Sequence, residues 1–215
     1  MYVFPPHEVP TVPVEGGGEF PVRRIFCVGK NYSEHVKEMG GDAKTDPPVF
    51  FTKPADAVVA SKSTIPYPPG TNNLHYEGEL VVAMKSSSDI FGYAAGCDLT
   101  RRDLQSLSKE NGAPWDIAKG FDRSAPIAAI VQGELNEGAE LQTLVNGKLV
   151  QSSPLSSMIW SVAEILASLN DLFEIKAGDL IFTGTPSGVG PIEPGDHVDV
   201  TISTLPKLEF DISAS

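Results

Sequence analysis

The sequence predicts an α+β protein that is mainly β, with many short strands and a few short helices. Glycine and proline number 20 and 18, and they interrupt segments rich in Val, Ile, Phe and Thr along the whole 215-residue chain. This texture is typical of β-rich domains. Helical patterns do not alternate with strands as βαβ units, which disfavours a doubly wound fold. The length suits one domain with an ample core.

The first 20 residues predict an extended arm ahead of a single domain at residues 21–215. Four prolines and a run of three glycines leave no periodic pattern in this arm. Beyond it, short apolar runs bounded by turn residues predict the strands. The predicted strands cover residues 24–28, 49–53, 77–84, 90–97, 127–132, 141–145, 180–183, 197–202 and 208–212.

Three helices are predicted from capping signals. Ser161 and Glu164 form a capping box ahead of an apolar stripe that continues to residue 173. Thr100 with Asp103 predicts a second capped helix. Asn31 opens a third, short helix that ends at two consecutive glycines.

The composition excludes several classes of function. Asp and Glu number 28 against 16 Lys and Arg, a formal net charge of −12, which opposes binding to nucleic acids and to anionic membranes. Cys27 and Cys97 are too few for a disulfide framework and lie in no zinc-binding pattern, so a reducing, cytoplasmic compartment is expected. The sequence has neither an 18-residue apolar run nor a basic, apolar leader, and we expect a soluble, unprocessed chain.

Residues 75–84 form an acidic strand pattern. In an extended strand, Glu77 and Glu79 project from one face together with His75. Carboxylates roughly 7 Å apart repel by about 2 kcal/mol at an effective dielectric near 20. The face is either solvated or part of a cation site, whose oxygen ligands would select Mg²⁺, Mn²⁺ or Ca²⁺. Asp98, at the end of the next strand, either adds a third ligand or caps a turn.

Four motifs occur in a distinctive order along the chain. They are His75-x-Glu77-x-Glu79, Gly96-x-Asp98-x-x-x-Arg102-Asp103-x-Gln105, Lys119-x-x-Asp122 and the glycine-rich residues 184–190. In combination they resemble the fumarylacetoacetate hydrolase family, especially its single-domain bacterial members. The similarity spans about residues 23–212, and the segments at 23–32, 53–56 and 158–161 resemble fumarylpyruvate hydrolases within the family.

This resemblance implies a mixed β-sandwich or β-roll, a homodimer, and one Mg²⁺ or Mn²⁺ bound by Glu77, Glu79 and Asp98, with Ca²⁺ as a substitute in crystals. The activity it implies is hydrolysis of a carbon–carbon bond in a β-diketo acid, foremost fumarylpyruvate to fumarate and pyruvate in gentisate-type aromatic catabolism. The alternatives are an oxaloacetate decarboxylase or enol isomerase of the same family, and a non-enzymatic metal-binding or interaction protein.

The resemblance also implies the catalytic residues. Lys119 lies beside the developing enolate. On a helix, His35 and Glu38 share a face, so Glu38 can hold the imidazole while its other nitrogen takes a proton from water. Without the resemblance, the same pair would be interpreted as an exposed salt bridge. Residues 31–48 are expected to form a lid over the substrate.

Candidate substrate contacts follow from the same motifs. Gln105 is expected to face the substrate with Arg102 as its support, although Arg102 could equally pair with Asp103. Thr185 lies in the glycine-rich loop, where a hydroxyl and backbone N–H groups can bind a carboxylate, although such a loop alone is more often a plain turn. Lys30 stands where similar proteins carry Arg, which binds carboxylates in a bidentate manner. The basic residues available for a distal carboxylate are Lys30, Arg23, Arg24 and Arg123.

Overall fold

The computed structural model describes residues 1–32, 47–136 and 138–214. The strands are β1 (Thr11–Pro13), β2 (Glu19–Pro21), β3 (Arg24–Gly29), β4 (Val49–Lys53), β5 (Val58–Ala60), β6 (Ser63–Pro66), β7 (Leu74–Tyr76), β8 (Gly78–Met84), β9 (Ile90–Cys97), β10 (Thr100–Arg101), β11 (Ala125–Ile127), β12 (Val131–Gln132), β13 (Glu140–Val145), β14 (Lys148–Pro154), β15 (Asp179–Phe182), β16 (Gly190–Ile192), β17 (His197–Ile202) and β18 (Leu208–Ser213). The α-helices in these ranges are α1 (Arg102–Glu110), α2 (Asp116–Lys119) and α3 (Val162–Leu172), and 3₁₀ turns cover Ala55–Ala57 and Leu155–Ser157. The predicted α+β, mainly β class is confirmed.

The largest sheet has eight strands and is curled. Its order is β4-β3-β15-β8-β9-β11-β5, and β12 pairs with β9 outside this path. Laid flat, this path would separate the edge strands β4 and β5 by about 29 Å. Only residues 54–57 connect these two edges, and such a link spans at most about 18 Å. The sheet therefore has to curl to bring its edges together.

A second, five-stranded sheet packs on one face of the large sheet in the order β14-β13-β17-β18-β6. Along β17, Val198 and Val200 are buried, and Asp199 between them faces away from the core. Leu80 and Val82 of β8 belong to the same apolar cluster as these valines. The two sheets thus form the predicted sandwich, with the main core between them.

The opposite face of the large sheet is covered by the N-terminal segment. An extended arm is expected for residues 1–20, but β1 and β2 form an antiparallel hairpin that places Val12 opposite Phe20. Both side chains are buried in a second apolar cluster with Ile25 and Val81. The hairpin strands have three residues each, which is too short for their alternation to be recognised in the sequence.

The helices follow the prediction only in part. Ahead of α3, the Ser161 hydroxyl accepts from the Glu164 amide and the Glu164 carboxylate accepts from the Ser161 amide, so the predicted capping box is confirmed. The predicted cap at Thr100 is wrong: α1 begins at Arg102 without a side-chain cap. Thr100 lies in β10 instead, and its hydroxyl donates to the Asp98 carbonyl at 3.0 Å.

Most of the predicted third helix and lid, including His35 and Glu38, lies outside the described residues. Asn31 at its edge is buried, and its side-chain amide donates to the Thr183 carbonyl at 2.7 Å and to the Trp160 carbonyl at 3.0 Å. These bonds fix the end of β3 beside the end of β15. In the described ranges no helix is long and apolar enough to cross a bilayer.

Candidate active site

Three buried carboxylates gather where the acidic strand meets the end of β9. Glu79 lies in β8, Glu77 precedes that strand, and Asp98 directly follows β9. The register places Glu79 opposite Gly96, and the Asp98 amide donates to the Glu77 carbonyl at 2.8 Å. One oxygen from each carboxylate lies within 4.8 Å of the others. We call Glu77, Glu79 and Asp98 the carboxylate trio.

Three buried or nearly buried cations surround the trio. Lys119 Nζ, at the end of α2, donates to Glu77 Oε2 and to Asp98 Oδ2, both at 2.7 Å. Arg102 donates to the other oxygen of Glu77, and Lys53 Nζ lies 2.8 Å from Asp98 Oδ1. The cations match the carboxylates in number, which reduces the electrostatic cost of burying the trio.

Lys119 is fixed in position within this network. Its side chain is 2% exposed, its Nζ donates to Thr100 Oγ1 at 2.6 Å, and it lies 5.0 Å from the centre of the Phe51 ring. Burial alone would lower the pKa of Lys119, but the charges of Asp98 and Glu77 outweigh burial and raise it above its ordinary value. Lys119 is therefore a permanent cation beside the trio.

Glu79 is the least compensated member of the trio. Burial, followed by repulsion from Asp98 and Glu77, raises the pKa of Glu79, while Lys119 and a hydrogen bond from the Gly184 amide at 2.8 Å act in the opposite direction. No described Lys or Arg forms an ion pair with this carboxylate. A divalent cation among the three carboxylates would remove the repulsion, and carboxylate oxygens are the ligands that Mg²⁺ and Mn²⁺ prefer.

Tyr32 gives a second indication that a polar ligand belongs next to Glu79. The residue is 2% exposed, and its hydroxyl has no hydrogen-bond partner in the described parts of the chain. Burial and the charge of Glu79 raise the pKa of Tyr32, which keeps the hydroxyl protonated. An unpaired buried hydroxyl costs about 1–3 kcal/mol. A coordinated water or substrate oxygen at this position would satisfy it, so these residues fit a hydrated divalent ion.

Arg102 connects the trio to Gln105 on α1. Its NH1 donates to Gln105 Oε1 at 2.6 Å, and its Nε donates to His75 Nδ1 at 3.3 Å. Burial, together with the charge of Arg102, lowers the pKa of His75 to about 4, so His75 is a neutral acceptor. Because arginine only donates, Gln105 has to present its oxygen to Arg102 and its N–H groups elsewhere. The structure shows no Arg102–Asp103 pair in the described residues: Arg102 donates to Glu77, Gln105 and His75, whereas Asp103 accepts from Thr71 at 2.6 Å.

The glycine-rich loop begins at Gly184, two residues after the end of β15. Its backbone is in the left-handed region, with φ of +99°, and a β-carbon there would lie 2.7 Å from Asn31 Cβ and 3.0 Å from the Val28 carbonyl oxygen. Only glycine fits this close approach without strain. The same geometry directs the Gly184 amide at Glu79, so the loop contributes a backbone donor to the trio.

Thr185 makes hydrogen bonds within the protein rather than facing an open site. Its hydroxyl donates to the Gly78 carbonyl at 2.8 Å and accepts from Gln151 Nε2 at 2.8 Å. Gln151 Oε1 in turn accepts from the Gly78 amide at 3.0 Å. The predicted contact of the Thr185 hydroxyl with a substrate carboxylate therefore requires exchange of the Gly78 hydrogen bond.

The remaining basic candidates separate into two groups. Lys30 is exposed at the end of β3 and adopts a left-handed backbone with φ of 63°. Arg23 and Arg24 instead bind buried Asp179 at 3.0 and 3.2 Å. Arg123 is exposed, also with a left-handed backbone. Lys30 therefore lies at one end of β3, and the two arginines that bind Asp179 lie at the other end.

The sequence alone predicts no site role for three residues of this network. Lys53 belongs only to a segment that resembles the family, Thr100 is predicted as a helix cap, and no local pattern singles out Gln151. A usable signal exists only for Lys53, which ends an otherwise apolar strand. The contacts of all three depend on elements distant in sequence, which no local pattern reports.

Residues 24–213 match the family described as "Fumarylacetoacetate (FAA) hydrolase C-terminal". The chain belongs to this family. The match covers every described residue of the network around the trio, and the family resemblance predicted from the four motifs is confirmed.

The relatives of this chain are named for two different activities. Fumarylpyruvate hydrolase of Ralstonia sp. is 41% identical over 183 residues, which cover 80% of this chain and 95% of that protein. A crystal structure of fumarylpyruvate hydrolase from Pseudomonas aeruginosa in complex with Mn²⁺ and pyruvate is 41% identical, with a TM-score of 0.97 and complete coverage of both chains. The mitochondrial oxaloacetate tautomerase FAHD1 of Bos taurus is 37% identical over 203 residues, or 88% of this chain and 91% of that protein.

Proposed function

We propose that this family member hydrolyses the carbon–carbon bond of a β-diketo acid, foremost fumarylpyruvate to fumarate and pyruvate, with Mg²⁺ or Mn²⁺ as its cofactor. The observation that carries the proposal is the buried carboxylate trio with Lys119 bonded to two of its members. Similarity along the whole chain to a fumarylpyruvate hydrolase that contains Mn²⁺ and pyruvate supports it.

In this proposal the trio holds the cation and Lys119 acts on the substrate. When bound, Mg²⁺ or Mn²⁺ polarises the oxygens of a 2-oxo acid and draws electron density from the developing enolate. Lys119 adds a positive charge that Glu77 and Asp98 keep in place, so the protein needs little reorganisation as the enolate forms.

His35 and Glu38 form the proposed general-base pair. Glu38 accepts one imidazole N–H, so the other nitrogen can remove a proton from water. The water oxygen bonds to the fumaryl carbonyl carbon, the adjoining carbon–carbon bond breaks, and its electron pair passes to the pyruvyl fragment as an enolate. The proton taken up by His35 returns to the methylene carbon of this enolate, which gives pyruvate, and the other fragment leaves as fumarate.

Gln105, Arg102, Thr185 and Lys30 are the proposed substrate contacts. Gln105 offers N–H donors because Arg102 occupies its oxygen. Thr185 takes part once its hydroxyl exchanges the Gly78 carbonyl for a substrate carboxylate. Lys30 presents its ammonium from the end of β3.

A substrate panel tests the proposal directly. The purified protein is assayed with fumarylpyruvate, maleylpyruvate, acetylpyruvate and oxaloacetate by loss of enol absorbance, with Mg²⁺, with Mn²⁺ and after EDTA treatment. We expect fumarylpyruvate hydrolysis that EDTA abolishes and Mn²⁺ restores. Full activity after complete chelation would contradict the metal mechanism, and no turnover of any β-diketo acid would contradict the proposal.

Oxaloacetate tautomerisation is the second candidate, because 37%-identical relatives are named oxaloacetate tautomerases. Such a reaction, like a decarboxylation, needs the cation and Lys119 but no activated water. His35→Ala separates the two functions. Fumarylpyruvate hydrolysis should collapse in this variant, whereas enol–keto exchange of oxaloacetate should largely survive if tautomerisation is the native activity.

We further propose a homodimer that acts in the cytoplasm, in aromatic catabolism. Ile117, Leu107 and Phe173 are 60%, 53% and 39% exposed, and burial of such side chains favours association. The buried, unpaired thiols of Cys27 and Cys97 suit a reducing compartment. Light scattering should give twice the chain mass of 22.9 kDa. A monomeric mass would contradict the dimer.

A further inference from the structure

Lys109 lies on the same face of α1 as two residues of the active site. Arg102, Gln105 and Lys109 are spaced i, i+3 and i+7, which on an α-helix places them in one stripe. Arg102 and Gln105 are buried beside the trio, whereas Lys109 is exposed. The stripe therefore runs from the trio outward to solvent.

Two aromatic rings connect Lys119 to Lys109. Lys119 Nζ lies 5.0 Å from the centre of the Phe51 ring, the Phe51 and Trp115 rings are 5.8 Å apart, and Lys109 Nζ lies 5.2 Å from the Trp115 ring. Gly29 lies against the indole, because a β-carbon there would be in van der Waals contact with Trp115 at 3.4 Å. The rings form a wall with one lysine at each end.

Lys109 forms no ion pair with a described acidic residue, and the attraction of Glu77 only partly offsets the repulsion from nearby cations. Lys30 follows Gly29, and its charge acts on Lys109 together with those of Arg102 and Lys119. Partial burial of the ammonium, followed by repulsion from Arg102, lowers the pKa of Lys109 to about 8. An anion bound at the outer end of the wall would relieve this repulsion.

Two of the other basic candidates are engaged elsewhere. Arg23 and Arg24 bind Asp179. Arg24 also lies 4.7 Å over Phe26, on the face of β3 opposite to Gly29. Both arginines are therefore held by Asp179, at the end of β3 farther from Lys30.

We propose that Lys109 determines specificity for dicarboxylic substrates by binding the carboxylate that lies farther from the trio. The inference rests on the proposed function. Fumarylpyruvate has seven carbons, and its terminal carbons are roughly 7–8 Å apart at bond lengths near 1.5 Å. Lys109 is about 10 Å from Arg102 along the helix axis, and long helical side chains point back toward the N-terminus. One substrate end can thus occupy the trio while the other reaches Lys109.

Lys109→Gln in the Mn²⁺-loaded enzyme tests the assignment. We expect the KM for fumarylpyruvate to rise about tenfold, the effect of one charge-assisted hydrogen bond, with kcat unchanged. The KM for acetylpyruvate, which has no distal carboxylate, should stay within about twofold. Lys109→Arg keeps the charge and should restore most of the fumarylpyruvate KM. Lys148→Gln removes an exposed lysine from β14 and is the matched control.

Four outcomes would overturn the assignment. One is an equal rise in KM for both substrates, and another is a larger, selective effect of Arg123→Gln than of Lys109→Gln. The third is a wild-type protein that hydrolyses neither substrate, which contradicts the proposed function itself. Hydrolysis of both substrates by the wild type, with no selective change in Lys109→Gln, removes only the role of Lys109.

Discussion

The carboxylate trio and a cluster on the outer face of the five-stranded sheet contain the same kinds of residue in different surroundings. In this surface cluster, His197 and Asp199 of β17 and Glu209 of β18 have ligand atoms within 4.8 Å of one another. Lys207 Nζ lies 2.7 Å from both Asp199 and Glu209. Asp211 lies 2.8 Å from His197 Nδ1. Both groups therefore surround a lysine with carboxylates.

Burial separates the two groups. The side chain of Lys207 is 44% exposed, whereas that of Lys119 is 2% exposed. Water and salt screen the surface cluster, so its ion pairs contribute little to stability. The trio has to be compensated by fixed protein charges or by a bound cation, because unpaired buried charge is costly. Position in the fold, rather than residue type, distinguishes a candidate metal centre from a solvated face.

Removing one carboxylate from each group should give the largest difference, which is expected in the rate of hydrolysis. Asp98→Asn should lower hydrolysis by at least about 10³-fold, because a metal ligand and a partner of Lys119 are lost together. Asp199→Asn should leave the rate within about twofold. Steady-state kinetics with saturating Mn²⁺ and calorimetric titration of Mn²⁺ measure the effect. Equal Mn²⁺ affinity in both variants would remove the trio from metal binding.

Replacing the central lysine of each group should separate their stabilities. Lys119→Met removes one of the three cations that compensate the three buried carboxylates and leaves one negative charge uncompensated, at a cost of about 3–5 kcal/mol in unfolding free energy. Lys207→Met should lower the free energy of unfolding by only a small fraction of this amount. Urea unfolding in EDTA measures the loss of unfolding free energy in both variants. Added Mn²⁺ should recover part of this loss in Lys119→Met but not in Lys207→Met. Similar losses in the two variants would show that burial is not the deciding factor.

Two glycines with the same φ allow the backbone packing next to the trio to be compared with that near the surface cluster. Gly184, next to the trio, and Gly195, near the surface cluster, both have φ of +99°, but only Gly184 has atoms within 4 Å of a β-carbon position. Gly184→Ala should cost about 3 kcal/mol from strain plus overlap, and Gly195→Ala about 1 kcal/mol from strain alone. Thermal unfolding measures the difference, and equal losses would contradict the close packing at Gly184.

The smallest expected effect is a pH dependence confined to the surface cluster. The hydrogen bond with Asp211 raises the pKa of His197 above its ordinary value of 6.5. The stabilisation is therefore complete below pH 6.5 and is lost as the pH rises through the raised value. His197→Gln should unfold at a slightly lower temperature than the wild type at pH 5.5 and at the same temperature at pH 9. A difference that grows with pH would reverse this assignment.

Local patterns predicted the elements whose signals lie within a few residues. The Ser161 capping box and the strands at 49–53, 90–97 and 197–202 agree with the structure because caps and alternation are set by near neighbours. The strand predicted at 77–84 begins one residue later in the structure, at Gly78, since the chain passes at Glu77 from the three-stranded sheet β10-β7-β16 to the large sheet. A change of sheet leaves no local signal.

Within the site, the sequence predicted residue types better than their contacts. The structure brings Glu77, Glu79 and Asp98 together with Lys119, as the charge argument and the motifs indicate. Lys53 and Thr100 were missed as members of this network because their partners come from other elements. The roles of His35 and Glu38 stay predictions.

The position of β3 in the large sheet has a consequence for biosynthesis. This strand pairs with β4 nearby in sequence, but on its other side Arg24 is in register with Asp179, 155 residues later. At about 5–20 residues per second, the ribosome needs roughly 8–30 s to deliver that partner. Until then one edge of β3 has no strand to pair with, so a nascent chain is exposed to aggregation through that edge.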